Sequence, residues 1–195
     1  MPPQDGTVRI MPEEKAPPHA LNCQRCELAQ QRTRVIWGEG NPEAPVTLIL
    51  DNPGAREDRE GHAFLCGTRE TLQLGMREAE LPADAVYITY LLKCRPVRAY
   101  NKPAARQACS AHLQLQLMEK KPKLLFGFGN VVAETLLPGK GEEAAVKWLR
   151  RSWHDYQGIP IGFTYHPLAV RRRPNLFSYF VNDLRFLADR WKTLI

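Results

Sequence analysis

Four short apolar runs, Val46–Leu50, Val86–Leu92, Lys123–Phe128 and Ile159–Tyr165, punctuate the chain and are rich in β-branched and aromatic residues. Short runs of this kind, apolar without alternation, read as strands buried on both faces. Between and after them, apolar residues recur every three or four positions over Thr68–Glu80, Ala104–Lys120, Asn130–Leu137, Glu142–Arg150 and Leu176–Leu194, the period of amphipathic helices. Glu142–Arg150 starts acidic and ends basic, as a helix dipole favours. Strands alternating with helices predict an α/β fold: a three-layer sandwich with a central, mainly parallel four-stranded sheet. In such sheets functional groups gather at the carboxyl ends of the strands.

Residues 1–19 hold five prolines and mixed charge, which predicts a flexible leader, with residues 20–195 forming one domain. Lys and Arg number 27 against 21 acidic residues, a net charge of +6 that suits a polyanionic partner. The clustering sharpens this: Arg171, Arg172 and Arg173 are consecutive, Arg150 and Arg151 adjacent, and Arg95, Arg98, Lys102 and Arg106 crowd one region. No apolar run approaches the length of a membrane span. A monomeric cytoplasmic protein, not attached to a membrane, is the expectation.

Cys23 and Cys26 form a C-x-x-C near the start, and Cys94 and Cys109 follow with fourteen residues between them. A C-x-x-C seats two thiolates on one ion or cluster. Spacing alone leaves iron–sulfur and zinc both open, and Cys66 reads as a thiol outside the set. Four stretches extend the pattern: Val35–Ala44 (VIWGEGNPEA), Asn52–Gly67 (NPGAREDREGHAFLCG), Val86–Pro96 (VYITYLLKCRP) and Thr164–Pro167 (TYHP). Together with the cysteine frame they resemble the family 4, iron–sulfur branch of the uracil-DNA glycosylase superfamily. The resemblance implies a [4Fe–4S] cluster on Cys23, Cys26, Cys94 and Cys109 that ties the N-terminal segment to the loop after the second strand. It also implies DNA as the partner.

The same resemblance assigns roles. Asp51 stands where family 4 enzymes carry a Glu before Pro-Gly, and Asn52 matches the Asn with which mismatch-specific and thymine-DNA glycosylases position the attacking water. Read locally, Asp51-Asn52-Pro53-Gly54 is an Asx-type turn. Hydrolysis of an N-glycosidic bond passes through an oxocarbenium-like sugar, so a carboxylate and a water-holding amide both suit this place. Gly54 completes the turn beside the substrate. His166, of a His-Pro pair, corresponds to the donor to the pyrimidine O2 as the base leaves, and Phe64 to the aromatic that stacks on the base. Leu168–Pro174 resembles a minor-groove loop, with Leu168 or Val170 as an apolar wedge and Arg171–Arg173 on phosphates.

Tyr90 departs from the pattern: uracil-removing relatives carry there an Asn whose amide reads the uracil edge. A Tyr hydroxyl cannot reproduce that donor–acceptor pair. The expectation is a monofunctional DNA glycosylase acting on a modified pyrimidine, such as a cytosine derivative in phage DNA, with no lyase step. Two alternatives stand beside it: a uracil-DNA glycosylase with relaxed recognition, and an inactive iron–sulfur protein that only binds DNA.

Overall fold

The computed structural model describes residues 8–60 and 67–195. Its centre is the four predicted strands: β3 (Val46–Leu50), β4 (Val86–Tyr90), β5 (Leu124–Phe128) and β7 (Ile159–Thr164), all parallel, in the order β4-β3-β5-β7. Three short antiparallel strands widen the sheet to seven. β1 (Glu13–Glu14) and β2 (Gly38–Gly40) extend the β4 side, and β6 (His154–Tyr156) pairs with β7. The periodicity missed these three because none is an apolar run.

Along β3, alternate residues face opposite layers. Leu48 and Leu50 pack with Leu72 and Met76 of α3 (Gly67–Glu78), Val170 of α7 (Pro167–Arg172) and Phe180 and Leu184 of α8 (Phe177–Lys192). Ile49 packs instead with Leu113 and Leu117 of α4 (Lys102–Lys120), Val132 and Leu136 of α5 (Asn130–Leu136) and Leu149 of α6 (Val146–Leu149). A sheet with helices on both faces is the three-layer sandwich expected.

Two expectations change. The helix read over Glu142–Arg150 is broken at Ala145, whose ψ of 134° is extended; a 3-10 turn precedes it and α6 follows, with the Asn130 side chain accepting the Val146 N–H. Residues 8–19, read as part of a flexible leader, lie along the sheet: Met11 is buried in the core, Glu13–Glu14 pair with β2, and α1 (Pro18–Leu21) follows. The prolines end in a packed edge because Pro18 opens that helix, where a missing N–H costs nothing.

A third cluster gathers Ala20, Leu28, Val35, Trp37, Leu92, Cys94, Ala105 and Cys109. Asp58, in α2 (Ala55–Glu60), links this cluster to the pocket side by accepting the Thr33 and Arg34 N–H groups.

Candidate active site and cysteine ring

Each central strand ends in a turn, and three of those turns meet in one cleft of about 510 Å³, lined by Asp51, Asn52, Gly54, Glu57, Arg69, Tyr90, His166, Leu168 and Arg171 among others. A volume of this order is typical of a ligand-holding pocket. After β3 the chain stays pinned to β4: Leu91 N–H donates to Leu50 O and Leu92 N–H to Asp51 O, both at 2.9 Å. Pro53 then ends the extended path and α2 begins at Ala55.

Asp51 and His166 lie 115 residues apart in the chain and touch: His166 Nε2 is 3.1 Å from Asp51 Oδ1. Asp51 Oδ1 also accepts the Asn52 N–H at 2.8 Å. Burial pushes the Asp51 carboxyl up, but the bonds from His166 and Asn52 outweigh it and hold the group below its usual range. The imidazole is fixed at its other nitrogen, since Leu168 N–H donates to Nδ1 at 3.1 Å. That bond assigns the proton of the neutral ring to Nε2, which donates it to Asp51. Close packing supports the ring: Gly129 has φ +90°, and a Cβ there would stand 3.1 Å from His166 Cβ. Asn52 Nδ2 donates to Pro53 O at 3.0 Å, which turns the amide donor back onto its own loop. Tyr90 is buried, only 2% exposed, and forms part of the cleft wall.

Behind the cleft lies a buried ion-pair group. Arg69 Nη1 meets Glu39 Oε2 at 3.0 Å and Arg69 Nε meets Glu57 Oε1 at 3.3 Å. Burial pushes the Glu39 carboxyl up to about 7 against the pull of Arg69. Sequence reasoning missed this group: Glu39, Glu57 and Arg69 look like ordinary surface charges until β2 and α3 bury them. A charged residue in an otherwise apolar helical stripe, as Arg69 is beside Leu72, was the available signal.

The four predicted cysteines come together at the third cluster. Cys23, Cys26, Cys94 and Cys109 line one small cavity with Arg25, Arg32, Lys93 and His112, and none is in a disulfide. Lys93 N–H donates to Cys109 Sγ at 3.3 Å, Arg32 Nη1 approaches Cys94 Sγ at 3.6 Å, and His112 Nε2 lies 3.3 Å from Cys23 Sγ. Burial pushes the free Cys94 thiol up to about 12 against the pull of Arg32. Among the described residues, no three His, Cys, Asp or Glu side chains converge as on a single metal ion. The donor set is four soft sulfurs, two of which already receive N–H groups, chemistry that fits an iron–sulfur group.

Residues 37–194 match the family described as the uracil DNA glycosylase superfamily. Three relatives are type-4 uracil-DNA glycosylases. That of Sulfurisphaera tokodaii is 30% identical over 90% of this chain and 83% of its own length. The Pyrobaculum aerophilum protein is 31% identical over 84% of this chain and 86% of its own. The Archaeoglobus fulgidus protein is 26% identical, covering 87% and 88% respectively. The chain belongs to family 4 of the uracil-DNA glycosylase superfamily.

Within this family 4 frame, the expected site residues divide. Asp51, Asn52, Gly54, Tyr90, His166, Leu168 and Arg171 share the cleft. Phe64, like Cys66, lies outside the described residues. Val170 is corrected: it is 2% exposed and packs in the core, so it cannot serve as a wedge, whereas Leu168 is 37% exposed. The cause is that Leu168–Pro174 is no open loop. Pro167 starts α7, His166 caps it, and helical geometry turns Val170 inward and Leu168 outward. Arg171, Arg172 and Arg173 are all exposed at its end. Arg150 is corrected as well: it holds Asp183 at 2.6 and 3.0 Å and lies over the rings of Tyr165 and Tyr179, so its charge is used inside the fold.

Proposed function

We propose that this DNA glycosylase, a hydrolase of N-glycosyl bonds, draws a modified pyrimidine nucleotide out of DNA into the Asp51–His166 cleft. It cleaves the base from its sugar and leaves an abasic site. The observation that carries the reading is the contact of Asp51 with His166, which brings a carboxylate and a neutral imidazole N–H to one point beside Asn52 and Tyr90.

The bonds from Asn52 N–H and His166 Nε2 both end on Oδ1, and Oδ2 is the oxygen assigned to a water molecule. That water attacks the anomeric carbon as the glycosidic bond lengthens; the carboxylate stabilises the positive charge on the sugar and takes the proton the water loses as its C–O bond forms. Asn52 Oδ1 gives the water a second acceptor and so fixes its line of approach. The electron pair of the broken bond leaves with the base, and His166 Nε2–H stabilises the charge at the pyrimidine O2 by moving its hydrogen bond from Asp51 to the base. Abasic product should fall by at least about 100-fold in Asp51→Ala and Asn52→Ala, by the usual weight of general-base assistance. Single-turnover assay of a labelled strand with alkali cleavage measures it. DNA retention with no abasic product on a panel of uracil, hypoxanthine, thymine mismatches and substituted cytosines would instead mark a protein that only binds.

Tyr90 supports displacement from plain uracil. Its buried ring stands at the cleft wall where an amide would be needed to read both a carbonyl and a ring N–H. A cytosine derivative is the substrate class we favour, and removal of modified bases from phage DNA is the role that would follow. Cys23, Cys26, Cys94 and Cys109 would hold a [4Fe–4S] cluster whose contribution is structural. Protein purified under low oxygen should be brown with about four irons, and Cys109→Ser should bleach it. A colourless protein with one zinc would replace the cluster assignment.

A further inference from the structure

Lys93 is 1% exposed, among the most deeply buried side chains of the molecule. Its Nζ donates to Thr89 Oγ1 and Tyr90 O at 2.7 Å each and to Gln116 Oε1. All three acceptors are uncharged. Among the described residues no carboxylate pairs with Lys93; the Glu14 carboxylate is taken by Lys120 at 2.7 Å. Trp37 contributes only its ring face, 5.4 Å from Nζ. A buried ammonium is costly unless an opposite charge lies close. Besides Glu14, the negative groups that act on this ammonium are Cys109 and Cys94: Lys93 lines the same cavity as the four cysteines, and its backbone N–H donates to Cys109 Sγ.

We infer that Lys93 is the internal counter-charge of an anionic group held by Cys23, Cys26, Cys94 and Cys109. The inference rests on the cluster reading above. A [4Fe–4S] group on four thiolates is an anion overall, and its reduction potential follows the net charge around it. Arg32 and Arg25 also line the cavity, but Arg25 is exposed and Arg32 only half-buried, whereas Lys93 is buried. The Lys93 backbone N–H donates to Cys109 Sγ while its Nζ donates to the Tyr90 carbonyl, so the residue joins the cysteine ring to the strand that walls the cleft.

The test uses the purified, cluster-bearing protein. Lys93→Met removes charge and donors, Lys93→Gln removes the charge while keeping donors, and Thr89→Val removes one acceptor while keeping the charge. In both Lys93 variants the reduced-to-oxidised ratio of the cluster at a fixed potential should fall at least tenfold. That equals a midpoint about 59 mV lower for one electron. Loss of colour to a chelator should be at least tenfold faster. Thr89→Val should match wild type in both measurements. Unchanged midpoint and bleaching in Lys93→Gln, or an equal change in Thr89→Val, would overturn the inference and leave Lys93 a packing residue. Wild-type protein without iron would instead overturn the cluster reading on which it rests.

Discussion

His166 has one N–H to give and, on the proposed mechanism, two claimants for it. In the resting site Asp51 receives it, because Leu168 occupies the other ring nitrogen. The imidazole is therefore already oriented in the resting site, and on the proposed mechanism the carboxylate that holds it would also hold the attacking water. Tyr90 raises the opposite question, of what the pocket refuses. If its ring is what excludes uracil, Tyr90→Asn restores an amide at the cleft wall, and uracil release should rise by several orders of magnitude relative to the native substrate, the scale on which matched polar groups discriminate. Uracil release by wild type and variant on one oligonucleotide decides it. Strong uracil excision by the wild type, lowered in Tyr90→Asn, would return the chain to ordinary uracil removal.

At the scale of elements, α7 is the part that changed most between sequence and structure. Six residues of helix replace an open loop, and this separates an outward Leu168 from an inward Val170. Leu168→Ala should lower activity on duplex more than on single strands, whereas Val170→Ala should lower thermal stability, by about 1–2 kcal/mol for the core methyls removed. Replacing Arg171, Arg172 and Arg173 by Gln should flatten the logarithmic salt dependence of DNA binding by at most about three in slope, roughly one for each phosphate that is no longer neutralised. Equal salt slopes in titrations of both proteins would remove these arginines from the DNA surface. The four parallel strands were legible because burial on both faces leaves an unbroken apolar run. Strand β2 was not, since Gly-Glu-Gly is buried only with Arg69 reaching Glu39. Asp51, Asn52 and His166 were legible from short motifs at strand ends. Lys93 was not, because a lysine beside a cysteine and an arginine reads as solvated until α4 closes over it.

Over the whole molecule, two carboxylates tilt stability in opposite directions with pH. Asp51 is held below its ordinary 3.8, so its contribution is present above that value and lost as pH falls through its folded-state value. Glu39 is raised from 4.5 to about 7, so the folded state keeps a proton that the unfolded chain gives up. Its contribution is full below 4.5 and declines as pH rises towards 7. Glu39→Gln mimics the protonated acid, and denaturation of this variant from pH 5 to 7 should lose the decline that wild type shows. A decline of the same size in both would assign it to other groups.

The order of these parts along the chain bears on how the protein is made. Cys23, Cys26, Cys94 and Cys109 all precede residue 110, whereas His166 sits on the far side of the last central strand. Domains emerge from the ribosome N-terminal part first. All four of these cysteines are therefore made before β5 and β7. Truncation before β7 would yield a fragment with every thiol in place and without His166, the proposed donor to the departing base. On the proposed roles, the molecule would acquire its anchor before its chemistry, with the last central strand carrying the chain to His166.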